Sequence, residues 1–198
     1  MFLMTQQYQS VQFKNTNRWD TRQLVTMALM SAIAALLQFV QIPLLPFAPF
    51  LTYDPSFMAA MVCGFAFGPA SGVIVGVIAS CIHGLIMGDW VGSVMNITAT
   101  LLYIWPAAMI YKRAHTFRGA IGGLATGCIL ATIGAVAVNL TIGVWFWYGS
   151  ADVIIPMLIP AVIPFNLIKT ILNSLLTMLV YKGISNLITP KKDQVKGR

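Results

Sequence analysis

The sequence has little charge and no glutamate at all. Only 9% of its 198 residues are charged, and the five acidic residues are all aspartate, whereas 58% of the residues are hydrophobic and the mean hydropathy is +0.81. About a quarter of the residues of a soluble domain are charged. A chain of this length with so few charges cannot cover a water-facing surface, so the composition predicts an integral membrane protein.

Sequence motifs for catalysis are also missing. The chain contains no GxxxxGK[ST] loop, no GxGxxG, no HExxH and no recognisable Ser/His/Asp set. His83 and His115 have no Cys, Glu or second His at the spacing of metal ligands. We therefore expect no enzyme activity, no metal, no cofactor and no nucleic-acid partner. A transporter or binding subunit, a channel and a scaffold remain as function classes.

Six apolar segments approach the length of about 20 residues that a helix needs to cross a bilayer. They are predicted near residues 23–42, 55–68, 70–88, 94–111, 119–147 and 156–187. A tight break at Gly68-Pro69 separates the second segment from the third. The predicted organisation is a polar leader over 1–22, a six-helix membrane domain over 23–187, and a basic tail over 188–198.

The basic residues support six crossings. All but one of the 12 Lys and Arg residues fall before the first span, between the fourth and fifth spans, or near the end of the chain. Six crossings place these three regions on one side, which the positive-inside rule makes cytoplasmic. The loops of the other side contain Asp54, Asp89 and Asp152 and no basic residue. The fold class is thus an all-α membrane protein whose two termini are both cytoplasmic.

The one basic residue outside this pattern is Lys169, in the sixth span. A lysine in mid-membrane costs from a few to about ten kcal/mol. Asn166, Lys169 and Asn173 have the spacing of one helix face, and such a polar face points into a bundle or a water-filled cavity. We expect Lys169 to contact a polar ligand. The alternatives are that it snorkels to an interface, or that an aspartate, Asp54 or Asp89, neutralises it in a structural ion pair.

Small residues recur every four positions along the fifth span, and the next step of the pattern is Asn139. They are Gly119, Gly123, Gly127, Ala131 and Ala135. Such stripes let helices approach closely, and we interpret this one as a surface that matches the last span. Asn139, at its outer end, is the candidate for ligand contact.

The link between the first two spans, Gln41 to Pro55, is apolar and contains four prolines. Proline lacks an N–H and restricts its neighbour, so the segment cannot be helical. We predict a lid over the outer mouth of the bundle, with Thr52, Tyr53 and Asp54 aimed inward or along the rim. The alternative is a loop whose aromatic side chains only anchor it among lipid headgroups.

Several motifs resemble those of the substrate-binding S components of energy-coupling factor (ECF) vitamin transporters, above all the riboflavin-specific members. They are ALMSAIAALL, PFLTYD, GFAFGPASGVIVG, MGDWVG and IPFNLIK, within Ala28 to Leu187. The resemblance implies six helices, location in the bacterial cell membrane, and capture of a vitamin in an outward-facing pocket. It also implies uptake driven by a transmembrane coupling subunit and two ATP-binding subunits.

Individual residues follow from the same resemblance. Ala28 and Ala32, an AxxxA pair, match the positions that contact the coupling subunit. The residues implied in vitamin binding are Leu51, Thr52, Asp54, Asn139, Asn166 and Lys169. Riboflavin is the expected ligand, whereas the stretches PSFMAA and VIASCIHGLIM leave a pyridoxine-type or pantothenate ligand as alternatives. A non-transporting membrane scaffold, with Lys169 in an ion pair, is the alternative from another class.

Overall fold

The chain folds into a bundle of helices joined by short turns and one longer loop. The computed structural model describes residues 19–188, with side chains described as far as residue 181. The elements are α1 (Thr21–Gln38), β1 (Ile42–Pro43), β2 (Thr52–Tyr53), α2 (Ser56–Phe67), α3 (Pro69–Met87), α4 (Trp90–Ala114), α5 (Phe117–Val138), α6 (Ala151–Met157) and α7 (Ile163–Ile188). A π-helical segment, Asn139–Tyr148, continues α5, and a second, Leu158–Val162, joins α6 to α7.

Each of the six predicted spans coincides with a helical segment. Within the described residues, four stretches are long and apolar enough to cross a membrane: Pro69–Met87, Trp90–Ala114, Phe117–Tyr148 and Ala151–Tyr181. Helix α2 is shorter, at 12 residues. The helices are therefore confirmed, while six crossings with cytoplasmic termini remain a prediction. Most of the predicted leader and tail lies outside the described residues.

Helices α2 and α3 form the tight hairpin that the Gly68-Pro69 dipeptide predicts. Gly68 has φ = +101°, a conformation that favours glycine, and Pro69 is the first residue of α3, where its missing N–H is not needed. A Cβ added at Gly72 would lie 2.7 Å from the carbonyl oxygen of Ala60 and 2.8 Å from Gly64 Cα. The two backbones are therefore in direct contact, and the predicted break is confirmed.

Helix α2 is the centre of the bundle. It packs against α1, α3, α4 and α7, and all seven residues from Ala59 to Phe65 are buried. A helix at the centre of a bundle needs apolar side chains on all of its faces, because each face packs against another element. Its short length leaves room at one end of the bundle, where the loop after α1 folds in.

The glycines of the small-residue stripe of α5 pack on α4. A Cβ at Gly123 would lie 2.6 Å from the carbonyl oxygen of Ala107, and one at Gly127 would collide with the carbonyl oxygen of Tyr103. The expected match with the last span is therefore wrong for Gly123 and Gly127, whereas Ala135 and Asn139 line a cavity together with Asn166 and Lys169 of the last span. The four-residue spacing identified residues that share one face of α5, but at Gly123 and Gly127 that face packs on α4, the preceding helix.

The loop between α1 and α2 contains a small β-ladder that the sequence did not predict. Ile42 pairs with Tyr53 and Pro43 with Thr52, antiparallel. The ladder folds the loop back on itself, and Ala48 at its tip is fully buried. Phe47 and Phe50 remain more than half exposed. The loop is thus partly tucked in and partly exposed.

Candidate ligand-binding site

A cavity of about 170 Å³ lies between the loop and the helices at this end of the bundle. Its walls come from the loop, from α4, α5 and α7, and from the facing ends of α1 and α3. The six residues that the sequence implied in ligand binding all line it: Leu51, Thr52, Asp54, Asn139, Asn166 and Lys169. The fold therefore brings together side chains that are more than 100 positions apart in the chain.

Lys169 is buried and its charge is neutralised by the protein. The Nζ atom donates to Asp54 Oδ2 at 2.7 Å and to Asn96 Oδ1 at 3.3 Å, and it lies 4.9 Å from the centre of the Phe57 ring. The side chain is 6% exposed. The sequence-based alternative of an ion pair with Asp54 is thus what the structure contains. The cavity lies directly beside this pair, because both partners line it.

Asp54 is held by more than the lysine. Its Oδ1 accepts hydrogen bonds from the backbone N–H (3.1 Å) and the hydroxyl of Ser56. The amide nitrogen of Asn173 donates to the backbone carbonyls of Asp54 and Lys169, both at 3.0 Å, and its Oδ1 accepts from the N–H of Met58 at 3.0 Å. Asn173 therefore fixes the start of α2 against α7 and positions the ion pair.

Asn139 lies in distorted helix, and Asn166 lies in the first turn of α-helix after a distorted segment. Each amide nitrogen donates to a carbonyl four residues earlier, Asn166 to Val162 and Asn139 to Ala135, both at 2.8 Å. Asn139 Oδ1 also accepts from the hydroxyl of Tyr148 at 3.0 Å. Asn139 opens one π-helical segment and Asn166 follows the other. π-Helical turns are frequent at functional sites, since the extra residue per turn re-aims side chains.

Apolar side chains supply the rest of the cavity wall. Phe50, Met95, Trp147 and Phe165 line it together with the polar residues. Small-molecule sites typically combine an apolar, aromatic surface with a few placed polar groups. Outside the membrane helices, burial and, secondarily, the adjacent Asp54 carboxylate raise the pKa of Tyr53. Its hydroxyl is therefore protonated at neutral pH.

Sequence reasoning missed several polar residues of the cavity. They are Gln38, Gln41, His83 and Asn96. The spacing rules that identified the polar face of the last helix gave no such signal for single polar residues on separate elements. Along the chain His83 has no partner at the spacing of metal ligands, whereas in the fold its Nε2 lies 3.3 Å from the amide nitrogen of Gln41. Asn96 could have been found from the sequence, because it is an amide within an apolar span.

Ala28 and Ala32 lie on the outer face of α1. Both are exposed, whereas Met27, Met30 and Ser31 are buried on the inner face. Among the described residues, this alanine pair has no element packed over it. The position is open to a partner helix, and the implied contact with a coupling subunit remains a prediction.

A helical membrane bundle with a buried, partly polar and partly aromatic cavity defines a membrane protein that binds a small molecule. Comparison with protein families then identifies it further. The model of the family "ECF transporter, substrate-specific component" matches residues 22–181. The chain therefore belongs to the ECF transporter S components, and the resemblance noted in its motifs is confirmed.

Similar proteins agree with this family. The chain is 30% identical over 187 residues to the riboflavin transporter RibU of Staphylococcus aureus, covering 88% of this chain and 96% of that protein. It is 26% identical over 171 residues to the riboflavin transporter FmnP of Bacillus subtilis, covering 81% and 90%.

A solved structure also matches. The S component of a bacterial ECF transporter superposes with a TM-score of 0.71 at 30% identity, covering 85% of this chain and 98% of that one. The S-component fold is thereby confirmed. The protein is a multi-pass protein of the bacterial cell membrane, and its relatives are transport components that do not catalyse reactions.

Proposed function

We propose that this S component captures riboflavin from outside the cell in the cavity beside the Lys169–Asp54 pair. The supporting observation is that the six residues implied by the resemblance, scattered over three parts of the chain, line one cavity. Similarity to the riboflavin transporters of two other bacteria supports the same ligand.

The chemistry of the cavity suits a flavin. The isoalloxazine ring is flat and largely apolar, with carbonyl oxygens and ring nitrogens along one edge. Trp147, Phe165 and Phe50 supply apolar surface, and the ammonium of Lys169 supplies donors for the acceptors of the ring edge. The ammonium has three N–H groups, and within the described residues two are hydrogen-bonded, to Asp54 and Asn96. The third is available to a ligand.

The charge of the site favours a neutral vitamin. The carboxylates of Asp54 and Asp89 line the cavity together with the single ammonium of Lys169, so the lining carries an excess of negative charge. Riboflavin is neutral, whereas pantothenate carries a carboxylate that this lining repels. A pyridoxine-type ligand is neutral too, but it is smaller and would leave the aromatic walls partly uncovered.

Uptake would require partner subunits. The chain has no nucleotide-binding loop of its own, so two ATP-binding subunits and a transmembrane coupling subunit would supply the energy and the pathway. The exposed Ala28 and Ala32 offer a flat strip on α1 where a partner helix can approach closely. Substitution of both by Leu is expected to leave riboflavin binding intact and to abolish uptake by the assembled transporter.

Titration of the purified full-length chain with three vitamins tests the proposal. Flavin fluorescence reports riboflavin, and calorimetry reports pyridoxine and pantothenate. We expect saturable binding of one riboflavin per chain and no comparable binding of the other two. Lys169→Met is expected to weaken binding, while Lys112→Met, an exposed lysine at the end of α4, is the matched control. Failure to bind riboflavin, or tighter binding of another vitamin, would overturn the proposal.

A further inference from the structure

A second cluster of polar side chains lines the cavity. Two of them lie on α1 and α3, which carry none of the six residues implied in ligand binding, and the third lies in the α1–α2 loop. Gln38 ends α1, Gln41 begins the loop, and His83 lies in the last turns of α3. The motifs shared with other S components gave no role to these three side chains.

Gln38 has an unused acceptor. The side chain is 3% exposed, and its Nε2 donates to Ser80 Oγ at 3.3 Å. Its Oε1 is buried and has no hydrogen-bond partner among the described residues. Nearly all buried polar groups of native proteins are hydrogen-bonded, and an exception calls for an explanation. Gln38 lines the cavity, so a rotation of its amide would offer this acceptor to a donor on a bound ligand.

His83 and Gln41 form the other half of the cluster. Their Nε2 atoms lie 3.3 Å apart. The amide nitrogen of Gln41 donates to the imidazole in the tautomer of His83 whose Nε2 carries no proton. The ring of Phe39 packs on the imidazole, with 5.0 Å between ring centres, and His83 is 8% exposed. The imidazole is thus fixed in place next to an amide whose oxygen is an acceptor.

The two polar regions of the cavity differ in what they can recognise. Lys169 offers N–H donors, which suit ligand atoms that only accept, such as ring carbonyls and ring nitrogens. The Gln38, Gln41 and His83 cluster offers amide oxygen acceptors beside an imidazole. Such a mixture suits hydroxyl groups, each of which donates one hydrogen bond and accepts others.

We propose that Gln38, Gln41 and His83 form a subsite for the hydroxylated side chain of the flavin. This inference rests on the proposed function, since riboflavin carries both a ring edge rich in acceptors and a chain of hydroxyl groups. The subsite makes the protein selective for flavins that keep the polyol chain. It also places part of the recognition on α1 and α3.

Two ligands and two variants test the subsite. Lumiflavin has the same ring system with a methyl group in place of the polyol chain. We expect Gln38→Met and His83→Phe, which keep side-chain size and the packing with Phe39, each to weaken riboflavin binding about tenfold, the effect of one hydrogen bond, and to change lumiflavin binding by less than about twofold. Leu85→Ala, at an exposed position of α3, is the control and should change neither affinity.

The ligand pair separates the possible failures. Equal losses for riboflavin and lumiflavin would show that the cluster shapes the whole cavity, and unchanged riboflavin binding would show that it touches no ligand; either result overturns the subsite. Retained lumiflavin binding shows that a variant is folded. If the wild-type chain binds neither flavin, the proposed function itself is wrong and the subsite falls with it.

Discussion

Lys169 of α7 and Asp54 at the end of the α1–α2 loop form a buried ion pair, with 2.7 Å between Nζ and Oδ2. The pair connects the loop over the cavity to the helix that carries the candidate binding groups. It also accounts for a lysine within a membrane-spanning stretch without requiring a bound molecule. Any ligand of the cavity therefore meets a lysine that is already oriented.

Removal of one partner of the pair should destabilise the protein strongly. Lys169→Met leaves the Asp54 carboxylate buried without a counter-charge, and Asp54→Asn does the same to the ammonium. Loss of one partner of a buried pair costs about 3–5 kcal/mol. Thermal or denaturant unfolding of the purified variants measures the effect. Asp152→Asn, at an exposed position, is the control and should be close to neutral.

The double variant Asp54→Asn/Lys169→Met should be more stable than the sum of the two single changes indicates. Both charges are then gone, so neither is left unpaired, and the coupling free energy should reach about 0.5–3 kcal/mol. Strictly additive losses of stability would show that the two side chains do not interact in the folded protein.

The asparagines of the cavity should contribute to ligand binding. Asn166→Leu and Asn139→Leu each remove an amide that lines the cavity, so riboflavin affinity should fall by about 1–3 kcal/mol in each variant. Fluorescence titration measures the change. Thr126→Val removes an exposed polar group whose hydroxyl bonds within α5, and it should bind like the wild type. Unchanged affinity in both asparagine variants would move the ligand elsewhere.

The contact between α4 and α5 should be sensitive to single methyl groups on one side of α5 only. Gly123→Ala places a Cβ 2.6 Å from the carbonyl oxygen of Ala107, whereas Gly122→Ala meets nothing within 4 Å. Overpacking costs about 1–3 kcal/mol, while Ala in place of an open helical Gly gains up to about 1 kcal/mol. The free energy of unfolding should therefore fall for Gly123→Ala and rise for Gly122→Ala. Equal effects would contradict the packing of α5 on α4.

The membrane orientation can be tested by labelling two turns of the bundle. In a chain whose three native cysteines are replaced, Asp152→Cys should react with an impermeant maleimide on intact cells. Arg118→Cys, in the first turn of α5, should react only after permeabilisation, because six crossings place this end of α5 in the cytoplasm. The reverse pattern, or labelling of both from one side, would contradict the predicted topology.

Most of the helical architecture could be predicted from the sequence, because apolar segments and charge distribution record where the chain meets lipid. The break at Gly68 could also be predicted, because a glycine followed by a proline is typical of a turn, and Gly68 has the φ of +101° that favours glycine. The ends of the helices could be predicted less well. Helix α4 begins at Trp90, where the Asp89 side chain accepts the N–H of Gly92, four residues before the predicted start of the span.

The site was predictable in part. Helical spacing and motif resemblance placed Lys169 and Asn166 on one face, but spacing alone could not decide between Asp54 and a ligand as the partner of the lysine. His83 and Gln38 were not identified, because residues from separate elements meet only after the bundle forms. The π-helical segments could not be predicted either, because no local sequence rule distinguishes them from an ordinary α-helix.

The central claim is that riboflavin occupies the cavity lined by Lys169, Asn166 and Asn139. An experimental structure of the full chain purified with riboflavin tests it most directly. We expect one flavin in this cavity, with its ring edge within hydrogen-bond distance of Lys169 Nζ and its ring against Trp147 and Phe165. A flavin bound elsewhere on the protein, or a cavity that stays without flavin at saturating vitamin, would contradict the account.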